Sequence, residues 1–190
     1  MVLLDPKTTA LVLIDLQKGI VARPTQPYPS DAVIRQCNVL ITHFRQAGAP
    51  IVFTRVGWSA GLQDLPPQTV DQRSLPDTPP PAEFTELVPE LTTDPGDVQI
   101  LKHQWGAFYG TDLDLQLRRR HVKTIVLGGI STNFGVESTG RDAWERNYEL
   151  LFVEDAMASA GAEMHQFAIK NIFPRIGRVM STAQVVQTIQ

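Results

Sequence analysis

The chain has 190 residues, 17 Lys and Arg against 20 Asp and Glu for a formal net charge of −3, and 43% hydrophobic residues. That is the make-up of one ordinary globular unit, with too little chain for two comfortable ones. The acidic balance excludes the phosphate-binding footprint of a nucleic-acid binder, and no apolar run approaches the roughly 20 residues that span a bilayer. The single cysteine, Cys37, cannot pair within the chain, and the opening MVLLDPKTTA lacks the build of a signal peptide, so a cytoplasmic protein is expected.

In chain order, apolar runs of strand length alternate with helical patterns, the sign of a parallel sheet built from βαβ units. Strands are predicted at 9–14, 50–55, 98–101, 122–127, 149–153 and, least regular, 176–180. Their short unbroken apolar runs suit strands buried on both faces. A helix is predicted at 31–47, where Val33, Ile34, Cys37, Leu40, Ile41 and Phe44 recur at three- and four-residue spacing. Cys37 lies on that core stripe and reads as a small hydrophobe rather than a nucleophile. Further helices are read at 112–119, 134–146, 160–172 and 182–188, the first with Thr111 as N-cap and Asp114 in a capping-box place. The run Arg118-Arg119-Arg120 then falls at a helix C-terminus, where solvated cations offset the partial negative charge. Residues 1–190 thus read as a single α/β domain, interrupted by an excursion at 57–97 that holds eight of the fourteen prolines. A loop that long either covers a site, mediates contacts, or is ornamental surface.

Ligands of open α/β sheets bind beyond the carboxyl ends of the strands, which directs attention to three places. Asp15, in LVLIDLQKG, ends the first strand, where burial would raise its pKa and suit it to acid or base work; a turn-capping role is the plainer alternative. Lys102, in LKHQWGAFYGTDL, ends the third strand beside Trp105, Phe108 and Tyr109; it could hold a substrate oxygen, and the aromatic residues could line a pocket or simply pack the core. The segment GGISTNFGVES follows the fourth strand and places Ser131, Thr132 and Asn133 at a helix entrance, as an oxyanion hole or a phosphate cradle. Glu154 and Asp155 end the next strand where a ribose-binding acid would stand, but GGISTNFG fits no nucleotide-binding glycine pattern. The four histidines lie singly, without paired ligand spacing; only His103, beside Lys102, falls near the site, and no metal is expected.

Taken together, LVLIDLQ, LKHQWGAFYGTDL and LGGISTNFGVESTGRDAW, in this order and spacing, resemble the isochorismatase-like or cysteine hydrolase superfamily over nearly the whole chain. The resemblance implies a three-layer, Rossmann-like α/β fold with a six-stranded, mostly parallel sheet and helices on both faces. It assigns catalytic roles to Asp15 and Lys102, and aligns the family's nucleophilic cysteine with Gly135. It also implies a non-proline cis peptide between Ile130 and Ser131, aiming the Ser131 and Gly135 N–H groups at developing negative charge. Ser131, Asn133, Gln17, Arg55, Trp105 and Phe108 are the oxyanion or substrate-binding candidates, with Arg55 open to an ion-pair role instead.

Glycine cannot form a covalent acyl intermediate. Isochorismatases, which lack the cysteine, cleave a vinyl ether by protonation and water attack, and Gly135 is compatible with that route. The Asp-x-His motif of nicotinamidases is absent, which argues against nicotinamide. The expectation is therefore an isochorismatase-like hydrolase acting on a small metabolite without a covalent cysteine intermediate, needing no cofactor, with neither nucleic acid nor membrane as partner. The alternative is a non-catalytic binding protein that kept the fold. A homo-oligomer is implied by the resemblance alone.

Overall fold

A computed structural model describes residues 3–189. The apolar runs form six strands, β1 (Thr9–Ile14), β2 (Ile51–Val56), β3 (Val98–Lys102), β4 (Thr124–Ile130), β5 (Glu149–Ala158) and β6 (Arg178–Met180). They make one sheet in the order β3-β2-β1-β4-β5-β6. Every pairing is parallel, so the sheet predicted as mostly parallel is wholly so.

Among the described residues, seven helices connect and flank the strands: α1 (Lys18–Val21), α2 (Ser30–Gln46), α3 (Leu113–Arg119), α4 (Glu137–Glu145), α5 (Ala162–Phe167), α6 (Phe173–Ile176) and α7 (Thr182–Val186). Alternation along each strand sends successive side chains to opposite faces, and each face meets its own apolar cluster. Leu11, Leu13 and Phe53 pack with the α2 stripe and Val185 of α7; Val12, Val52 and Leu127 pack with Leu117 of α3 and Phe173 of α6. Two cores on one sheet make the three layers. Cys37 is wholly buried, and burial pushes its thiol far above the usual range, as befits a core residue.

The differences from the predicted elements have local causes. β4 runs to Ile130, so Gly128 and Gly129 belong to the strand and not to the turn. The helix read at 134–146 begins as a wide π turn over Thr132–Val136 before α4. The one read at 160–172 is α5 followed by a second π turn, Ala168–Ile172. Asp112, not Thr111, occupies the N-cap of α3 and makes no side-chain cap. The Thr111 hydroxyl instead donates to the Ala107 carbonyl and accepts from the Leu113 N–H, while Asp114 accepts from the Tyr148 hydroxyl in place of a capping box. The excursion 57–97 is irregular apart from a 3-10 turn at Ala82–Thr85. No helix among the described residues is long and apolar enough to cross a membrane.

Candidate active site

The strand order reverses at β1: the chain builds outward to β2 and β3, then returns to lay β4 on the other side. The crevice of such a sheet opens beyond the carboxyl ends of those two central strands. Here the ends are held unusually close. Gly129 has φ 113°, and a Cβ on it would lie 2.2 Å from the Ile14 carbonyl oxygen, so only glycine lets β4 run this near β1. The next residue of β1's path, Asp15, turns into the left-handed region at φ 52°.

That turn delivers the Asp15 carboxylate to two strand-end partners. Its Oδ2 accepts from Lys102 Nζ at 2.7 Å and its Oδ1 from the Thr54 hydroxyl at 3.1 Å. Lys102, 1% exposed, gives a second hydrogen bond to the Gln104 carbonyl at 3.1 Å. Burial pushes the Asp15 carboxyl above the usual carboxylate range, and the Lys102 ammonium and Thr54 hydroxyl pull it only part of the way back. The outcome is an acid whose proton is held more firmly than in water, sharing an edge with a cation.

Gly135 stands beside this pair. A Cβ at 135 would lie 3.4 Å from Asp15 Oδ2 but only 2.7 Å from Ile14 Cγ2, so the position faces the acid and the Ile14 methyl occupies the room a side chain would need. The Ile130–Ser131 peptide is cis. The Phe134 and Val136 N–H groups close back on the Ser131 carbonyl. Asp15, Lys102, Ser131 and Gly135 all border one cavity of about 470 Å³, the size of a small-molecule site.

Not every predicted residue reaches it. Trp105 does, with its ring 4.7 Å from that of Phe134, but Phe108 is buried against Tyr148 in the core. Gln17 is fully buried and its amide is committed: Nε2 donates to the Val56 and Phe84 carbonyls, and Oε1 accepts from the Val56 N–H. Asn133 Oδ1 accepts from the Ser159 hydroxyl and does not border the cavity. Arg55 lies one residue out of phase with Thr54 and Val56, so strand alternation turns it to the other face. There it reaches the Thr85 carbonyl at 3.4 Å, and its Nε is buried without a partner. His103 faces the Gly57 carbonyl and Asp64, outside the cavity. Glu154 and Asp155 are likewise engaged, with the Tyr28 hydroxyl and with Thr182 respectively. No group of three or more metal-capable side chains comes together among the described residues.

Sequence reasoning missed most of the wall. The excursion returns over the cavity and supplies Trp58, Arg73 and Phe84, while Arg23 comes from the loop after α1 and Phe134 from the π turn. Trp58, Arg23 and Phe134 each follow closely on the end of a strand or its first helix, a positional signal available in the sequence. Arg73 and Phe84 carry none, because only the return path of the excursion brings them here.

The arrangement, a central acid paired with a lysine and facing a strand-to-helix turn at the switch point of a Rossmann-like sheet, is that of an isochorismatase-like hydrolase. Residues 9–184 match the isochorismatase domain model, and the chain belongs to that family. It is 47% identical to the isochorismatase family protein YecD of Escherichia coli O157:H7, with 98% of both chains covered. It is 43% identical to YwoC of Bacillus subtilis strain 168, another isochorismatase family protein, over 98% of this chain and 97% of that one. Among solved structures, an isochorismatase family protein from Burkholderia thailandensis superposes with a TM-score of 0.92 at 40% identity, covering 100% of this chain and 98% of that one.

Proposed function

We propose that this chain hydrolyses a small metabolite without a covalent intermediate, and that the reaction is water-dependent cleavage of a vinyl ether. The observation that carries this reading is the slot at Gly135: it faces Asp15 Oδ2, offers no nucleophilic side chain, and is narrowed by Ile14. The attacking oxygen must then come from water.

In this mechanism Asp15, whose carboxyl is shifted by burial toward the protonated form, delivers a proton to the terminal carbon of the substrate's C=C bond. The positive charge that develops on the ether-bearing carbon is met by water. The adduct breaks its C–O bond to release an alcohol and a ketone, and the proton lost by water returns to Asp15, so the enzyme ends unchanged. Lys102 fixes the Asp15 carboxyl by its 2.7 Å hydrogen bond and offers its charge to substrate oxygens. Ser131 borders the same cavity and is placed to contact them too. A non-catalytic interaction role in which the excursion plugs a disused site is disfavoured, because the excursion borders the cavity instead of filling it.

The test is release of pyruvate from isochorismate by the purified protein, beside Asp15→Ala and Lys102→Ala variants checked for folding. Release abolished in both variants, with a rate that falls as pH rises through the elevated Asp15 pKa, is the expected result. No release above background, or release untouched in Asp15→Ala, overturns the reading.

A further inference from the structure

Behind the turn that walls the cavity lies a buried histidine that the hydrolytic mechanism leaves unused. His165, on α5, is fully buried, and its Nδ1 lies 2.9 Å from the hydroxyl of Thr132, which is fully buried too. Thr132 opens the π turn that runs from Ser131 to Gly135. Ser131 and Gly135 border the cavity, while the Thr132 side chain is turned toward α5. The next residue, Asn133, is held by Ser159, just beyond β5: the Asn133 N–H donates to the Ser159 hydroxyl at 3.4 Å, and that hydroxyl donates to Asn133 Oδ1 at 2.8 Å.

The surroundings of the imidazole settle where its proton sits. Its Nε2 is buried without a hydrogen-bond partner among the described residues, and a carboxylate oxygen, Glu154 Oε1, stands 3.9 Å away. Tyr28 donates its hydroxyl to that same oxygen at 2.7 Å and sets its ring nearly perpendicular to the imidazole, with centroids 6.0 Å apart. Burial holds the His165 pKa below its ordinary value, against the pull of Glu154, so the ring is neutral at neutral pH. A neutral imidazole carries one proton. A bare Nε2 lone pair would be repelled by the carboxylate, so the proton sits on Nε2, and Nδ1 is left to accept from the Thr132 hydroxyl.

Packing alone does not account for this residue, because an apolar side chain of similar size would fill the space without burying two ring nitrogens. We propose that His165 is a positioning residue: by accepting the Thr132 hydrogen bond it anchors the turn from behind and fixes where Ser131 and Gly135 stand in the cavity wall. Glu154 and Tyr28 complete the support by setting the tautomer and the ring plane. His165 does not itself border the cavity, so it acts through the turn alone. Its effect on rate rests on the hydrolytic reading; the anchoring does not.

Two amide side chains separate anchoring from filling. Asparagine presents its oxygen near the place of the histidine Nδ1, whereas glutamine presents its amide near the place of Nε2. His165→Asn therefore keeps an acceptor for Thr132, and His165→Gln loses it. The Gly135 amide resonance of the nitrogen-labelled chain reports the turn without any substrate. It should shift in His165→Gln and in the near-isosteric Thr132→Val, and stay close to the parent in His165→Asn. With isochorismate, kcat should fall by about tenfold or more in His165→Gln and Thr132→Val, the usual scale for misplaced groups. KM should stay near the parent's, the pattern of an interaction made in the transition state, and His165→Asn should recover most of the rate. Combining His165→Gln with Thr132→Val should cost little more than either alone, since both remove one link. An unmoved Gly135 resonance in folded Thr132→Val overturns the anchoring. Folded Asn and Gln variants that match each other in resonance and rate overturn it as well, because position 165 then only fills space. A Gly135 resonance that shifts as expected, with no pyruvate release by the parent, removes the hydrolytic reading and leaves the anchor standing.

Discussion

At Gly135 the absence of a side chain matters as much as any group present. The slot faces Asp15 Oδ2, and Ile14 Cγ2 stands where a Cβ would need room. Installing a thiol is therefore not a matter of one exchange. Gly135→Cys should destabilise the fold by about 1–3 kcal/mol through overpacking, measured by denaturant unfolding. Adding Ile14→Ala should cost less than the separate losses sum to, because the two side chains compete for one space. Full additivity of the two substitutions would show that Ile14 does not limit the position. Gln17 teaches the complementary lesson: a polar residue two positions from the acid, suggestive in sequence, turns out to have its amide fully used by backbone groups of β2 and the excursion.

At the scale of elements, the return of the excursion is fastened to the start of α1 by several weak ties that share a segment. The Val88 N–H donates to the Leu16 carbonyl, the Lys18 N–H donates to the Glu86 carbonyl, and Lys18 Nζ pairs with Glu86 at 2.6 Å. The Phe84 ring lies so close over Gly19 that a Cβ there would fall 1.9 Å from it. Gly19→Val should therefore displace Phe84 and loosen the Ala82–Thr85 turn, with an expected loss of about 1–3 kcal/mol. The sharper readout is local: Trp58 emission should shift, while the sheet's far-ultraviolet circular dichroism stays the same. An unmoved Trp58 signal would mean that Phe84 is not held by this contact.

On the scale of the whole molecule, the packed core and the strand ends have separate tasks. The stacked rings of Phe152 and Phe173, centroids 3.8 Å apart, fasten α6 to the far half of the sheet. The cavity opens at the carboxyl ends of the central strands. Phe173→Ala should cost about 3–5 kcal/mol, or a fall in Tm of roughly 10 °C for a chain of this size, while the rate and KM of the folded variant at low temperature stay near those of the parent. A large change in KM without loss of Tm would show that α6 communicates with the site.

The sequence by itself indicated a parallel sheet buried on both faces, most strand and helix positions, and Asp15 and Lys102 at strand ends, because these are written locally: unbroken apolar runs mark buried strands, and strand ends mark the crevice; Gly135 stands out only through the resemblance of its segment to the family. The sequence also determined that Cys37 is core, from its place on a helical stripe. Tertiary structure decided the rest. Whether Arg55, Gln17, Asn133 and Phe108 reach the cavity depends on strand phase and on which buried polar atoms need partners, and neither can be read from residue type. The placement of Arg73 and Phe84 depends on where a proline-rich excursion with almost no secondary structure comes back, and that path is set by contacts to Gln17, Lys18 and Gly19 far away in the chain. A local pattern encodes a strand, but only long-range packing closes a pocket.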